Sequence, residues 1–210
     1  MKIAVIGANG HTGRIVVRDA LSSGHEVIAV ARTHEPLETE EHNLTKARAD
    51  VRDPDALTRA LDGANAVVSA LGVGTSRAPT DVYSTGVRNT LAAMRSSGAT
   101  KLAVISAVPA ALWAEQPTLQ HRIALPILQR MFGATYDDTR RMEAILHDTT
   151  QLDWISLRPR ASSTNNSKAL TESIPGRWQR RAPSPTATSL EPYSVRTRPD
   201  LYRHAAYVAN

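Results

Sequence analysis

Gly7, Gly10 and Gly13 stand three residues apart in the stretch GANGHTG, directly after the apolar run Ile3-Ala4-Val5-Ile6. Directly after them, Ile15, Val16, Ala20 and Leu21 recur at helical spacing. A glycine loop between a strand and a helix suits a pyrophosphate. That group is doubly anionic and bulky, and it binds best where backbone N–H groups converge at a helix N-terminus with no side chains between. Gly7 would permit the turn out of the strand, Gly10 would let the backbone near the phosphates, and Gly13 would let the helix pack closely on the sheet. Ala8, Asn9, His11 and Thr12 complete the stretch, so Gly7 to Gly13 is the expected phosphate cradle.

A dinucleotide needs further recognition points on neighbouring strands. The run EVIAVAR ends at Arg32, where a protein that binds an unphosphorylated ribose tends to carry Asp or Glu. An arginine pairs with a 2′-phosphate that an acid would repel. The expected cofactor is therefore NADP(H), although the sequence shows no second basic residue beside Arg32. Asp50 and Val51 after the third strand, and Leu71 and Gly72 after the fourth, would flank the adenine and its ribose.

Other chemistries are excluded by residue type. The chain has no cysteine, which removes disulfides, thiolate metal sites and cysteine nucleophiles. The seven histidines never fall three or four apart, so no helical metal pair exists and no metal is expected. A tyrosine-dependent hydride transfer needs a lysine four residues after the tyrosine, whose ammonium lowers the phenol's pKa. Tyr83 is followed at that spacing by Val87, and Tyr136 by Arg140. Tyr136 is given no acid role.

Up to about residue 157 short apolar runs alternate with helix-period segments. The runs Lys2 to Ile6, Glu26 to Ala31, Ala47 to Val51, Ala66 to Leu71, Leu102 to Ser106 and Trp154 to Leu157 are the expected strands. This alternation predicts an α/β fold, a Rossmann-like doubly wound parallel sheet with helices on both faces. Tyr83, Val87, Leu91 and Met94 mark one helix, with Arg88 and Arg95 outward and Tyr83 at the edge of the core. Met142, Ile145 and Leu146 mark another. Asp137 and Asp138 suit its N-terminus, with Asp137 four residues before Arg141.

Two stretches break the rhythm. Pro109 to Ala134 is apolar and interrupted by proline, and it follows the fifth strand, where open α/β sheets place ligand-covering loops. It reads equally as a substrate lid or a packing helix. From Arg160 to Thr197 the chain is rich in Ser, Thr, Arg and Pro without a sustained period, which reads as loop or disorder. The division expected is a dinucleotide-binding domain over 1–158 and an atypical segment of the same domain over 159–210. A reading frame shifted and then restored would account for the lost periodicity, and translating the coding DNA in the other frames tests it.

Charge divides along the same line. Residues 1–157 hold 16 Lys and Arg against 17 Asp and Glu, while 158–210 hold 9 against 3. The positive excess belongs to the tail. It lacks an aromatic stripe, so neither nucleic acid nor membrane is the expected partner. With no secretory layout or apolar span at its start, the chain is expected to be cytoplasmic, a monomer or a weak homo-oligomer.

Taken together, GANGHTG, DVRDPDAL, VVSALG, PTDVYSTGVRNTLAAM, KLAVISA, DDTRRMEAIL and LDWISLRP resemble the NAD(P)H-binding, NmrA-like atypical short-chain dehydrogenases, within them the biliverdin-IXβ reductase/flavin reductase group. The resemblance runs from Met1 to about Arg158, and RPDLYRHAAYVAN looks like a family terminus. It implies phosphate contacts from Gly7 to Gly13, a 2′-phosphate contact from Arg32, adenine-side contacts from Asp50 and Val51, and ribose or diphosphate contacts from Leu71, Gly72 and Tyr83. Ser106 and Ala107 would lie beside the nicotinamide. Ser106, the candidate catalytic residue, would orient a substrate or the nicotinamide amide, although a serine closing a strand is also a common local cap. Relatives of the biliverdin reductase kind tend to carry a histidine after the paired aspartates, where this chain has Thr139.

The function expected on these grounds is an NADPH-dependent reductase passing hydride to a small planar acceptor such as a flavin or quinone. The alternative is an NADP(H)-binding regulator without turnover, for which the missing Tyr/Lys pair argues.

Overall fold

The computed structural model describes residues 1–33, 42–74, 76, 78–106, 119–159 and 204–208. Ala107, the part of the lid candidate over 109–118 and the segment 160–203 lie outside the described residues. Among the described residues the strands are β1 (Lys2–Ile6), β2 (Glu26–Ala31), β3 (Leu44–Arg48), β4 (Ala66–Ser69), β5 (Lys101–Ile105), β6 (Asp153–Pro159) and β7 (His204–Val208). They form one seven-stranded sheet in the order β3-β2-β1-β4-β5-β6-β7, with every pairing parallel. This is the Rossmann-like doubly wound architecture. The chain runs outward from β1 to β3 in one direction and from β4 onward in the other, so β1 and β4 bound the switch point, the place where such sheets bind ligands.

Strand alternation divides the core between the two faces. Ala4, Ile6, Ile28, Val30, Leu102 and Val104 pack with helices α2 (Pro54–Ala60), α3 (Val82–Ser97) and α4 (Leu119–His147). Ile3, Val5, Val27, Ala29 and Ala103 pack with Val16, Val17 and Leu21 of α1 (His11–Ser22) on the opposite face. Residues i and i+1 of one strand thus serve different layers, which is why the central strands read as unbroken apolar runs. Among the described residues no helix is long and apolar enough to cross a membrane.

β5 and β6 lie within one or two residues of the expected ranges, whereas three boundaries differ for a physical reason. β3 begins at Leu44 and ends at Arg48, not over Ala47 to Val51, because an edge strand needs only its backbone ladder to β2, and Thr45, Lys46 and Arg48 face solvent. Ala49 and Val51, by contrast, are buried in the turn that follows. β4 stops at Ser69, two residues short of Leu71. The last helix starts well before Tyr136: α4 runs from Leu119 with a kink at Phe132 (φ −131°). Residues 119–134 of the lid candidate therefore belong to α4, and Asp137 and Asp138 lie inside a helix. Their ion pairs are at three residues, Arg140 to Asp137 (2.6 Å) and Arg141 to Asp138 (3.2 Å), not at four. β7, paired to β6 from Ile155↔His204 to Pro159↔Val208, adds a strand that the periodicity had not marked.

Candidate functional site

The glycine loop is held from two sides. The Gly7 and Ala8 N–H groups both donate to the Val30 carbonyl at the end of β2 (2.9 and 3.1 Å), and the Gly10 N–H donates to the Gly7 carbonyl (3.0 Å). Gly7 sits at φ +80°, which a side chain rarely adopts. A Cβ at Gly13 would lie 2.1 Å from the Gly7 oxygen, so α1 rests directly on the loop backbone. At Gly10 a Cβ would meet only the Gly7 oxygen, at 3.3 Å, and at Gly72 nothing within 4 Å. The loop is tight inward and open outward.

These bonds refine the expected cradle. Gly7, Ala8 and Gly10 spend their N–H groups inside the loop. The donors that remain for an anion include those of the first turn of α1, at His11, Thr12 and Gly13, which lack intrahelical acceptors by helix geometry. The N-cap residue Gly10 adds no side chain to compete for them, and the first turn carries no acid to repel a phosphate. A pyrophosphate fits this helix end.

On the β2–β3 side, Arg32 is exposed just past β2, and Arg48 at the end of β3 donates its Nε to the Arg32 carbonyl (3.2 Å). The second basic residue that the sequence lacked beside Arg32 is therefore supplied from sixteen positions away. Asn9 ties its amide to the Thr33 carbonyl (3.0 Å), joining the glycine loop to this corner. Asp50 is engaged in its own turn, accepting from the Arg52 N–H (2.9 Å), and the Val51 carbonyl accepts from Asn89 (2.7 Å). A Cβ at Gly86 would fall 2.8 Å from Leu71 and 3.4 Å from Val51, so this glycine lets α3 close over the loops after β3 and β4.

On the other side of the switch point lies a cleft of about 310 Å³ at the carboxyl ends of β4 and β5. Leu71, Val73 and Tyr83 form one side, Ser106 and Ile105 the base, and Phe132, Thr135, Tyr136 and Thr139 of α4 the other side. The Phe132 and Tyr136 rings meet edge to face, with centroids 6.4 Å apart. Tyr83 accepts a hydrogen bond from the Val73 N–H (3.3 Å). Burial pushes the Tyr83 and Tyr136 phenols above their ordinary value of 10.0, partly offset at Tyr83 by the Val73 bond. Both stay protonated at neutral pH, so they serve as neutral hydroxyl groups. The Thr135 hydroxyl is buried with no partner among the described residues.

The helix α4 also sends two buried carboxylates toward this wall. Asp138 accepts from the Tyr83 and Ser84 N–H groups (2.9 and 3.3 Å) and from the Ser84 hydroxyl (2.5 Å), capping α3 from another helix. Glu143 accepts from Ser106 (2.6 Å) and Ser156 (3.1 Å). The sequence reading put Asp138 at a helix N-terminus and gave Glu143 no role, yet for Asp138 a signal existed. Asp138 lies four residues before Met142 and eight before Leu146, so it falls on the apolar stripe, where an acid needs a built partner.

Of the residues expected at the site, the fold brings Leu71, Tyr83 and Ser106 into the cleft. Gly7 to Gly13, Arg32, Asp50, Val51 and Gly72 lie at the carboxyl edge of the same sheet but not in the cleft lining. Ala107 lies outside the described residues.

Comparison with known proteins agrees with this layout. The chain is 28% identical over 178 residues to a 2-alkyl-3-oxoalkanoate reductase of Stenotrophomonas maltophilia, an alignment covering 76% of this chain and 50% of that protein. The chain thus spans half the length of that relative. A Streptococcus pneumoniae protein provisionally named an NADH-flavin reductase has the same fold at TM-score 0.60 and 22% identity, over 76% of this chain and 71% of its own. The Bordetella bronchiseptica enzyme WbmG, solved in complex with NAD, matches at TM-score 0.59 and 20% identity, over 76% and 53%. The family described as NAD(P)H-binding matches residues 7–177, starting on the first glycine of the loop and reaching past Arg158. The chain belongs to the NAD(P)H-binding family, and its cofactor is a nicotinamide dinucleotide.

Proposed function

We propose that the protein is an NADPH-dependent reductase that passes hydride to a small planar acceptor, a flavin or a quinone, as in the flavin reductase-like branch of the NmrA-type dehydrogenases. The cleft carries the proposal: it opens at the carboxyl ends of β4 and β5, next to the glycine loop, and combines apolar walls (Leu71, Ile105, Phe132) with hydroxyl groups (Ser106, Thr135, Tyr136). Such a mixture suits a flat ring system with polar edges. A bound NADPH would supply the hydride, and the protein's part is alignment.

The residues divide that work. The first turn of α1 holds the diphosphate, and Gly86 lets α3 close the loops that flank the adenosine. Ser106 orients a ring at the cleft base, while Phe132 and Tyr136 narrow the opening against water. An acceptor reduced here takes its proton from water, because the raised phenol pKa values of Tyr83 and Tyr136 make them weak acids. Thr139, bonded back to the Thr135 carbonyl (2.9 Å), stands where biliverdin-reducing relatives tend to have histidine. This argues for a flavin or quinone over biliverdin. Mixing protein, NADPH and a panel of flavins and quinones should oxidise the nicotinamide. Tight NADPH binding with no turnover on any acceptor would refute the reductase reading.

Choice of NADPH over NADH rests on Arg32 and Arg48. Two guanidinium groups at one corner suit a dianionic phosphate. Arg32→Ala or Arg48→Ala should weaken NADPH binding roughly 10–100-fold, about 1.4–2.8 kcal/mol, and leave NADH binding unchanged in fluorescence titrations. An equal loss for both cofactors would refute the phosphate role.

A further inference from the structure

We propose that Glu143 sets the polarity of Ser106, making its hydroxyl a hydrogen-bond acceptor toward the cleft, so that the site favours a nicotinamide carboxamide over an isosteric ketone. This rests on the proposed reductase reading, with the nicotinamide end of the bound cofactor lying beside Ser106 at the base of the cleft.

Ser106 is held at two points, and a second serine shares its carboxylate partner. Its N–H donates to the Leu157 carbonyl of β6 (2.8 Å), fixing the backbone where β5 ends. Its hydroxyl donates to Glu143 Oε1 (2.6 Å), and the same oxygen receives the Ser156 hydroxyl (3.1 Å) from the adjoining strand. Ser106, Glu143 and Ser156 are 6%, 7% and 1% exposed, so water competes little for these bonds. A serine hydroxyl has one hydrogen and two lone pairs. With the hydrogen spent on Glu143, what Ser106 can turn toward the cleft is lone pairs alone.

A serine that faces a ligand with its hydrogen steadies a carbonyl; one that faces it with lone pairs steadies an N–H. The carbon–nitrogen side of a carboxamide offers N–H donors, and an acetyl group of nearly the same shape does not. The fold places the second half of a dinucleotide beyond the switch point, over β4 and β5, which is the side where Ser106 lies. Glu143 is thus a positioning residue. Its effect is on which groups Ser106 accepts, beyond its share in stability.

The experiment compares two oxidised cofactors by tryptophan-fluorescence or calorimetric titration, NADP⁺ and its 3-acetylpyridine analogue, in which a methyl ketone replaces the carboxamide. The wild-type protein should prefer NADP⁺ roughly tenfold, the size expected for one buried hydrogen bond and an unmatched acceptor. Glu143→Gln keeps the volume but can present an N–H to Ser106, freeing the serine hydrogen for the cleft; the preference should shrink toward unity or reverse. Ser106→Ala should also abolish it. The ratio of the two affinities is internal to each variant, so a loss of stability does not move it. Equal wild-type affinities, or a Glu143→Gln variant that keeps the full preference, would overturn the inference alone. If the wild type bound neither dinucleotide, the cofactor reading would fall, and the inference with it.

Discussion

Gly13→Ala is expected to unfold the protein or destabilise it by at least about 3 kcal/mol, the upper end of the usual overpacking range. Elsewhere in a helix the same change would gain up to about 1 kcal/mol from propensity. The sign reverses here because the added methyl would sit 2.1 Å from the Gly7 oxygen, 2.8 Å from the Gly7 carbonyl carbon and 2.9 Å from the Ala8 Cα. All three are backbone atoms, and none can swing aside as a side-chain tip could. Gly7 is itself pinned to Val30 and has φ +80°, so relief would require the loop to leave β2. Urea unfolding measures the loss. Gly10→Ala is the control: Gly10 has φ −69° and ψ 159°, open to any residue, and its Cβ meets only one atom at 3.3 Å. That variant should lose only about 1 kcal/mol, as for alanine at an N-cap, while its NADPH affinity falls at least roughly tenfold, because the methyl grows on the loop's open side. A stable Gly13→Ala protein that binds NADPH normally would refute the packing role of this glycine.

Asp138→Ala should cost roughly 3–5 kcal/mol, the summed loss of several neutral donors left without their acceptor at about 1–3 kcal/mol each. The carboxylate is fully buried and accepts from Tyr83 N–H, Ser84 N–H, the Ser84 hydroxyl and Arg141. Removing it leaves the buried Ser84 donors and the half-buried Tyr83 N–H without their acceptor, and each stranded group carries its own desolvation cost. Arg141 contributes little to this figure, since its side chain is 58% exposed. Asp138→Asn should cost less, because one carbonyl oxygen can still serve the two N–H groups while the amide nitrogen cannot accept from Ser84. Function should follow stability in a graded way. Asp138 ties α4 to α3 beside Tyr83, so loosening it moves two walls of the cleft together, and turnover should fall in both variants below their unfolding midpoints. Unfolding curves that superimpose on the wild type would refute the account.

Much of the architecture around the glycine loop was legible in the chain because it is local. A glycine at a tight turn, a helix that starts four residues later and an arginine at the end of the next strand are short-range patterns, each tied to one backbone requirement. The expected strands Lys2 to Ile6 and Glu26 to Ala31 coincide with β1 and β2 for the same reason: central parallel strands are buried on both faces and show as unbroken apolar runs. β3 was displaced because its outer row faces water, so its residues are Thr, Lys and Arg and the apolar signal came instead from the turn behind it. Arg48 was hidden for that reason too. Its partner at Arg32 is a neighbour only through β2–β3 pairing.

The cleft side depends on distant pairings that no window of sequence contains. Asp138 reaches α3 across fifty-five residues, and Glu143 reaches Ser106 across thirty-seven. By itself the sequence determined a strand–glycine–helix unit at the head of a parallel sheet, and the absence of cysteine and of a Tyr/Lys pair. Only the tertiary structure decided which N–H groups the loop keeps for itself, where the second arginine comes from, and that the Ser106 hydroxyl is already spent on a buried carboxylate. The division follows from range: backbone conformation and burial period are written in neighbouring residues, whereas a hydrogen bond's direction is set by whatever the fold brings to its other end.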